Sequence, residues 1–400
     1  MPTTESSSEL SDLRRRNLRR VAHLVRDNPG VHLSDVSERT GLALGAVSSL
    51  VNALVEAEVI DDAAASAGGR GRPRRTLALV DRGVDLLAAR ITRSAIDVRS
   101  ATLAGRIVRS ESRTSAIPWS IDAAAATLAE LARTVVGDRP PGSRQPSMVI
   151  SYPGAAIGDR IGANELDWNL LPLRQLLAPL RTAGFRRASV GNDGSLATLG
   201  EKRVGAARGY ANAAVVLLGR GLGGSAIIDG KLLRGSRNAP GFGHTPVDPS
   251  GPLCICGLHG CVELYASLQS IAARLGDADR LAGMPSAAYS AELDQRAATG
   301  EERVSSAIDD TRTRLRDFSD LLGALLAPEA VILTGSASPL ARHLISEPRN
   351  PVGPVMIEGE LGADAALVGA MFAAQDDALD DPLAFAGDRS GGAAGNDAAE

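Results

Sequence analysis

Apolar residues recur at helical spacing in three bursts along the first sixty positions. Leu18, Val21, Leu24 and Val25 fall on one face of a segment near Leu13 to Arg26. A second segment runs near Ser34 to Thr40, with Ser34 as its expected N-cap. A third, near Leu44 to Glu58, lines up Val47, Leu50, Val51, Leu54 and Val55. Steps of three and four predict amphipathic helices, and Gly41 stands where a tight corner between two of them needs a small residue. The pattern then changes. A Gly/Arg stretch, Ser66 to Thr76, leads into an apolar strand, Thr76 to Val80. From Leu86 onward strands and helices alternate. Expected strands include Ser100 to Leu103, Arg106 to Ser110, Ser147 to Ser151, Arg187 to Val190, Ala213 to Leu218, Ser225 to Ile228 and Ala330 to Leu333. Expected helices include Asp122 to Val135, Leu173 to Ala183, Ser195 to Val204, Ser267 to Leu275, Ala287 to Ala298, Glu301 to Leu325 and Asp364 to Ala374. Such alternation predicts an α/β architecture. From Gln375 to the end the chain is Asp, Ala and Gly without a core-forming pattern, so residues 376–400 read as a disordered acidic tail.

Composition narrows this picture. The chain has 400 residues, enough for two or three domains, and is 44% hydrophobic but only 3% aromatic, so its core must be aliphatic. A net charge of −4 excludes a protein that is basic overall, and any nucleic-acid contact must come from a local patch. No apolar run is long enough to span a bilayer, and Met1 to Leu10 lacks the apolar segment of a signal peptide, so a cytoplasmic location with no membrane partner is expected.

The candidate chemistry is concentrated. All three cysteines, Cys254, Cys256 and Cys261, lie within eight residues, and His244 stands ten residues upstream of the first. Three thiolates and an imidazole are a standard tetrahedral zinc set that leaves no open position, so the metal expected is structural Zn2+. An odd cysteine count argues against a disulfide framework. The three N-terminal helices and the Gly/Arg stretch resemble a winged helix-turn-helix, whose third helix enters the major groove of double-stranded DNA. That makes residues 10–80 a DNA-binding domain. Ser48, Ser49 and Asn52 are its groove-facing candidates, and Arg70, Arg72, Arg74 and Arg75 are wing contacts; Arg14, Arg15, Arg16, Arg19 and Arg20 cluster on the first helix. Asp193 follows a strand ending at Val190, at the carboxyl edge where α/β proteins place ligand groups. Asn-Asp-Gly-Ser is equally good helix-capping sequence, so both readings stand. The run Gly219 to Gly224 fits either a phosphate cradle or a hairpin turn.

Taken in order, these signals resemble the ROK family of sugar repressors and sugar kinases over roughly residues 10 to 375. The motifs that carry the resemblance are Gly71-Arg72-Pro73, Pro153-Gly154, Asn192-Asp193, the Gly219 to Gly224 loop, Gly243-His244 with Cys-x-Cys-Gly-x-x-Gly-Cys-x-Glu, and Leu326-x-Pro328-Glu329. The resemblance implies an actin-like, two-lobed sugar-kinase fold over residues 81–375. It also implies sugar contacts at Asn192, Asp193, His244 and Glu263, and at Asn164. Family kinases open on a strand bearing Asp-x-Gly-x-Thr; here that segment reads Arg90-Ile-Thr-Arg-Ser94, without the glycines or the carboxylate that phosphoryl transfer needs. Gly241 stands where the family carries a sugar-binding glutamate, which turns the expected ligand toward a bulkier or anionic sugar derivative. The expectation is therefore a non-enzymatic transcription regulator, a repressor, that senses a sugar or sugar derivative and acts as a homodimer or higher oligomer. Two alternatives are a sugar kinase with an appended DNA-binding domain and a regulator whose pocket is vestigial.

Overall fold

The structure, a computed structural model, describes the main chain of residues 4–64, 75–233, 235 and 241–389; side chains are described for these residues except 4–10, 63, 64 and 75. The wing candidates Arg70, Arg72 and Arg74 lie outside the described residues, and of Arg75 only the main chain is described.

The N-terminal part is a three-helix unit closed by a small sheet. α1 (Thr4–Asp27) buries Leu18, Val21, Ala22 and Val25 against α3 (Leu44–Glu56), which supplies Val47, Leu50, Val51 and Leu54. β1 (Val31–His32) and β2 (Ile60–Ala64) flank β3 (Arg75–Leu79) in an antiparallel sheet. α2 (Leu33–Thr40) ends at Gly41, which adopts a left-handed φ of 67° and returns its amide to Ser37 and Glu38 carbonyls, as the corner requires. Ser34 is not the N-cap. The helix begins one residue earlier because Val31 and His32 are drawn into the sheet, and the Ser34 hydroxyl turns to Asp35 instead.

Two five-stranded sheets follow, and they share one topology. In the first, β4 (Leu86–Ile91), β5 (Ala95–Ala101) and β6 (Ile107–Thr114) form an antiparallel meander. β7 (Ser147–Tyr152) and β11 (Arg187–Asn192) then extend it in parallel from the β4 side. A three-stranded sheet of β8 (Ala155–Ile157), β9 (Arg160–Ala163) and β10 (Trp168–Pro172) branches off after β7. α4 (Ile121–Val136) and α5 (Leu173–Thr182) cover one face. In the second sheet, β12 (Ala213–Leu218), β13 (Leu222–Ile228) and β14 (Lys231–Leu232) repeat the meander. β15 (Ala330–Thr334) and β16 (Val355–Glu358) run parallel beside β12. α7 (Glu263–Ala266), α8 (Leu268–Leu275), α9 (Ala278–Ala282), α10 (Ser286–Ala298), α11 (Glu302–Leu326) and α12 (Ala341–Leu344) belong to this lobe.

Between the lobes lie α6 (Asp193–Val204) and α13 (Ala365–Asp380), crossing at Gly200 and Gly369. A β-carbon on Gly369 would stand 1.7 Å from the Leu196 carbonyl oxygen, so only glycine permits the approach. The C-terminal segment departs from the expected tail. α13 continues to Asp380 and α14 (Pro382–Gly387) follows, with Leu379 and Phe385 fully buried. Its stripe is built from Ala370, Ala374 and Ala378, small residues that pack without standing out from an Asp/Ala background, and its acids have basic partners on α1. Residues 390–400 lie outside the described residues.

Candidate functional site

The loop after β14 brings His244, Cys254, Cys256 and Cys261 together, with their ligand atoms all within 4.8 Å of one another. His244 Nδ1 is 3.5 Å from Cys254 Sγ, and Cys256 Sγ is 3.5 Å from Cys261 Sγ. Ligand atoms around a tetrahedral zinc stand about 3.3–3.8 Å apart at bond lengths of about 2.0–2.3 Å, so this set could hold such a metal. The scaffold is main chain: Pro246 bridges Cys261, Leu253 bridges His259, and Cys254 N donates to Leu258 O at 2.7 Å. Gly260, at a φ of 62°, is obligatory, since a β-carbon there would stand 1.7 Å from the Asp248 carbonyl oxygen. His259 is outside the set; its Nδ1 lies 3.0 Å from Gly251 O.

Beside this loop lies the cleft. Asn192 and Asp193 sit where β11 passes into α6, and the capping reading is realised by Asn192. Asn192 Oδ1 caps the helix by accepting from Ser195 N at 2.9 Å. Its Nδ2 donates to Gly154 O at 2.8 Å and to Asp193 Oδ1 at 3.1 Å, so both amide donors are used within the protein and aim Asp193. Asp193 Oδ1 also accepts from Gly194 N at 2.8 Å. The Gly219 to Gly224 stretch is a hairpin: Leu218 pairs with Leu222, and Gly219 N donates to Gly221 O. Its amides are not free for phosphate. Gly221 N donates to Glu165 Oε1 at 3.0 Å and Leu222 N to Glu263 Oε2 at 3.2 Å. A β-carbon on Gly194 would stand 2.3 Å from Gly224 N, so α6 butts directly against this hairpin.

Glu165 is a residue that sequence reasoning missed. It occupies a single 3-10 turn after β9, and its neighbour Asn164 is exposed, with no contact joining the Asn164 side chain to the carboxylates among the described residues. The cleft therefore holds three half-buried carboxylates: Glu165, Asp193 and Glu263. Burial, together with the charges of Glu165 and Glu263, raises the Asp193 pKa to about 7. Burial also raises Glu165, with Arg220 opposing and Glu263 reinforcing.

On the first sheet, Arg90 donates to the Ala363 carbonyl and pairs with Asp97 at 2.8 Å. Arg99 pairs with Asp364 at 2.8 Å, and Arg93 donates to Glu165 O at 3.1 Å. Three guanidiniums from β4, β5 and their connecting turn thus stand at the junction of the first sheet with the start of α13 and with Glu165.

On the N-terminal unit, Ser49 and Asn52 are exposed on α3 and Ser48 is half-buried, above a stripe of buried Val and Leu. The arginines of α1 are divided. Arg15 lies 3.6 Å from Asp381, Arg19 pairs with Asp380 at 3.0 Å and Arg26 with Asp376. His23 Nε2 lies 3.0 Å from Asp380 Oδ1. Part of the expected DNA-facing charge is thus used inside the molecule. Among the described residues, no helix is long and apolar enough to cross a membrane.

Residues 147–376 match the family model described as ROK family, and residues 14–61 match the one described as Winged helix-turn-helix DNA-binding. The chain is 28% identical over 278 residues to the DNA-binding transcriptional repressor Mlc of Escherichia coli (strain K12), covering 68% of each protein. It is 38% identical over 136 residues to a glucokinase of Thermotoga maritima, a match that covers 32% of this chain and 42% of the enzyme. A crystal structure of a ROK family transcriptional regulator, described as a homolog of the E. coli Mlc protein, superposes with a TM-score of 0.73 at 24% identity, over 93% of this chain and 98% of that one.

Proposed function

The chain belongs to the ROK family, and from that premise we propose that it is a DNA-binding transcriptional regulator, a repressor, whose kinase-derived body senses a sugar derivative. Residues 10–80 form the reader in this reading, and residues 81–375 with the helices beyond them form the sensor. Ser48, Ser49 and Asn52 face the major groove, with Arg70, Arg72, Arg74 and Arg75 on the wing. The observation that carries the proposal is Arg90. It reaches the Ala363 carbonyl, in the turn leading into α13, from the strand where the family's kinases carry the glycines and aspartate that admit a nucleotide. A body arranged this way keeps a ligand cleft and has no evident means of phosphoryl transfer.

The effector cleft comprises Asp193 and Glu263 as acceptors and His244 as a donor or acceptor through the ring nitrogen turned away from Cys254. Asn192 positions Asp193, and Asn164 stands at the rim. His244, Cys254, Cys256 and Cys261 hold a structural zinc that fixes the loop carrying His244 and leading into Glu263. A ligand that prefers one lobe arrangement over the other shifts the reader through α6 and α13. The protein acts as a homodimer on an inverted repeat, with half-sites about one or two helical turns apart.

The test is a genomic-fragment binding screen with the full chain, repeated with a panel of hexoses and amino sugars. Retention of specific fragments, lost on deletion of residues 1–80 and modulated by a sugar, is the expected result. Turnover in an ATP-coupled hexose assay, abolished by Asp193→Asn, would overturn the non-enzymatic reading.

A further inference from the structure

We infer that the ligand of this cleft carries a protonated amine, an amino sugar with a free ammonium group, and that Glu165 is the residue that selects it. This rests on the effector reading above and goes beyond it by naming the ligand's charge.

The argument starts from geometry. Glu165 comes from the first lobe and Glu263 from the second, yet their carboxylates dock on adjacent amides, Gly221 and Leu222. A β-carbon placed on Gly221 would stand 2.9 Å from Glu165 Oε1 and 2.9 Å from Glu263 Oε2. Asp193 Oδ1 is 3.7 Å from the corresponding position on Gly223. Three carboxylates thus line one side of the cleft, and among the described residues none of them is in an ion pair. The nearest cations have other partners. Arg220 donates to Leu281 O at 2.8 Å, and Arg93 to the main-chain oxygen of Glu165. Two guanidiniums acting at a distance against three carboxylates leave a deficit of one positive charge. Burial first, and neighbouring carboxylate charge after it, raise the pKa values of Asp193 and Glu165, so each carboxylate gains from a cation placed beside it.

A single ammonium on a sugar ring supplies that charge and donates three hydrogen bonds to acceptor-only groups. A divalent metal fits less well. Among the described residues the one convergence tight enough for an ion is the His/Cys set, so these carboxylate oxygens are too dispersed to coordinate one cation. An N-acetyl group removes the charge, and a phosphate inverts it.

Calorimetry on the full chain with D-glucosamine, D-mannosamine and D-galactosamine, each against its neutral parent and its N-acetyl derivative, tests the inference. At least one amine should bind about tenfold more tightly than its parent hexose, the scale of one charge-assisted hydrogen bond. Glu165→Gln should erase that preference while leaving weak binding of the neutral sugar; Asp193→Asn serves as the second variant should Glu165→Gln not fold. Equal affinity for amine and parent, or a preference that survives both substitutions, overturns the inference and leaves the effector reading standing. Magnesium or calcium alone binding in a Glu165-dependent way overturns it in favour of a metal. Silence from every hexose, charged or neutral, overturns both readings.

Discussion

Asp193 shows how one side chain couples charge to folding. Its folded pKa, about 7, stands well above the roughly 3.9 of an unfolded aspartate, because burial and two neighbouring carboxylates disfavour its charge. The folded state therefore binds more protons than the unfolded state between these values. Stability falls as pH rises from about 4 to about 7, then no longer changes on this group's account. Asp193→Asn should consequently melt higher than the parent at pH 8, keep part of that advantage at pH 5 and lose it only below about pH 4, as read by thermal denaturation. Asn keeps an oxygen for the Gly194 amide, so the helix start is preserved. The residues here were unequally legible. Asp193 announces itself by following a strand, and the cysteines by their density. Glu165 carries no such signal: it lies in a 3-10 turn with ordinary neighbours, and only the fold brings it to Gly221, fifty-six positions away. The metal ligands make a second prediction at this scale. Elemental analysis should find about one zinc per chain, and Cys261→Ser should abolish it and free the remaining thiols to alkylation.

Among the elements, α6 joins the cleft to the N-terminal unit. Its first residue faces the cleft, and near its end Arg203 binds Asp376 of α13 at 3.0 Å and Asp27 of α1 at 3.1 Å. One rigid helix thus runs from the effector side to the DNA reader. α13 runs beside it, pinned at Gly200 and Gly369, and offers Asp376 and Asp380, with Asp381 just past its end, to the basic face of α1. These pairs are only partly buried, so losing the Arg203 side chain should cost about 1 kcal/mol, between the worth of exposed and buried pairs. The expected consequence is specific. Arg203→Ala should leave sugar affinity and operator affinity each near the parent's, yet weaken the effect of sugar on DNA binding. Hydrogen exchange in α1 should quicken at the same time; unchanged exchange with intact coupling would remove α6 from this role. β7, β11, β12 and β15 were readable from periodicity because large aliphatic residues mark their buried faces, whereas β4, β14 and β16 were not among the expected strands. α13 beyond Ala374 and α14 were not readable, because alanine stripes give little contrast and the acids that suggest disorder are satisfied by arginines distant in sequence, 173 residues away for Arg203 and 350 for Arg26.

The whole molecule must hold DNA with a surface that is not basic in sum. The chain carries 43 Lys and Arg against 47 Asp and Glu, and residues 1–80 alone contain eleven arginines against ten carboxylates. Attraction to phosphate must therefore come from where the arginines are placed. Arg15, Arg19 and Arg26 are held by acids of the sensor, which leaves Arg14, Arg16, Arg20 and the wing to meet the duplex. Each phosphate neutralised releases counterions and adds about 0.9 to the slope of log affinity against log salt. Replacing Arg72 and Arg74 together by alanine should then lower that slope by about 2 per reader, or about 4 for a dimer on its inverted repeat. Contacts to backbone rather than base edges, as proposed for these residues, would make the loss nearly uniform across operator and non-operator fragments. Measuring binding from low to moderate salt checks this. An unchanged slope would mean the wing is not where the charge is delivered. A loss confined to one sequence would mean these arginines read bases.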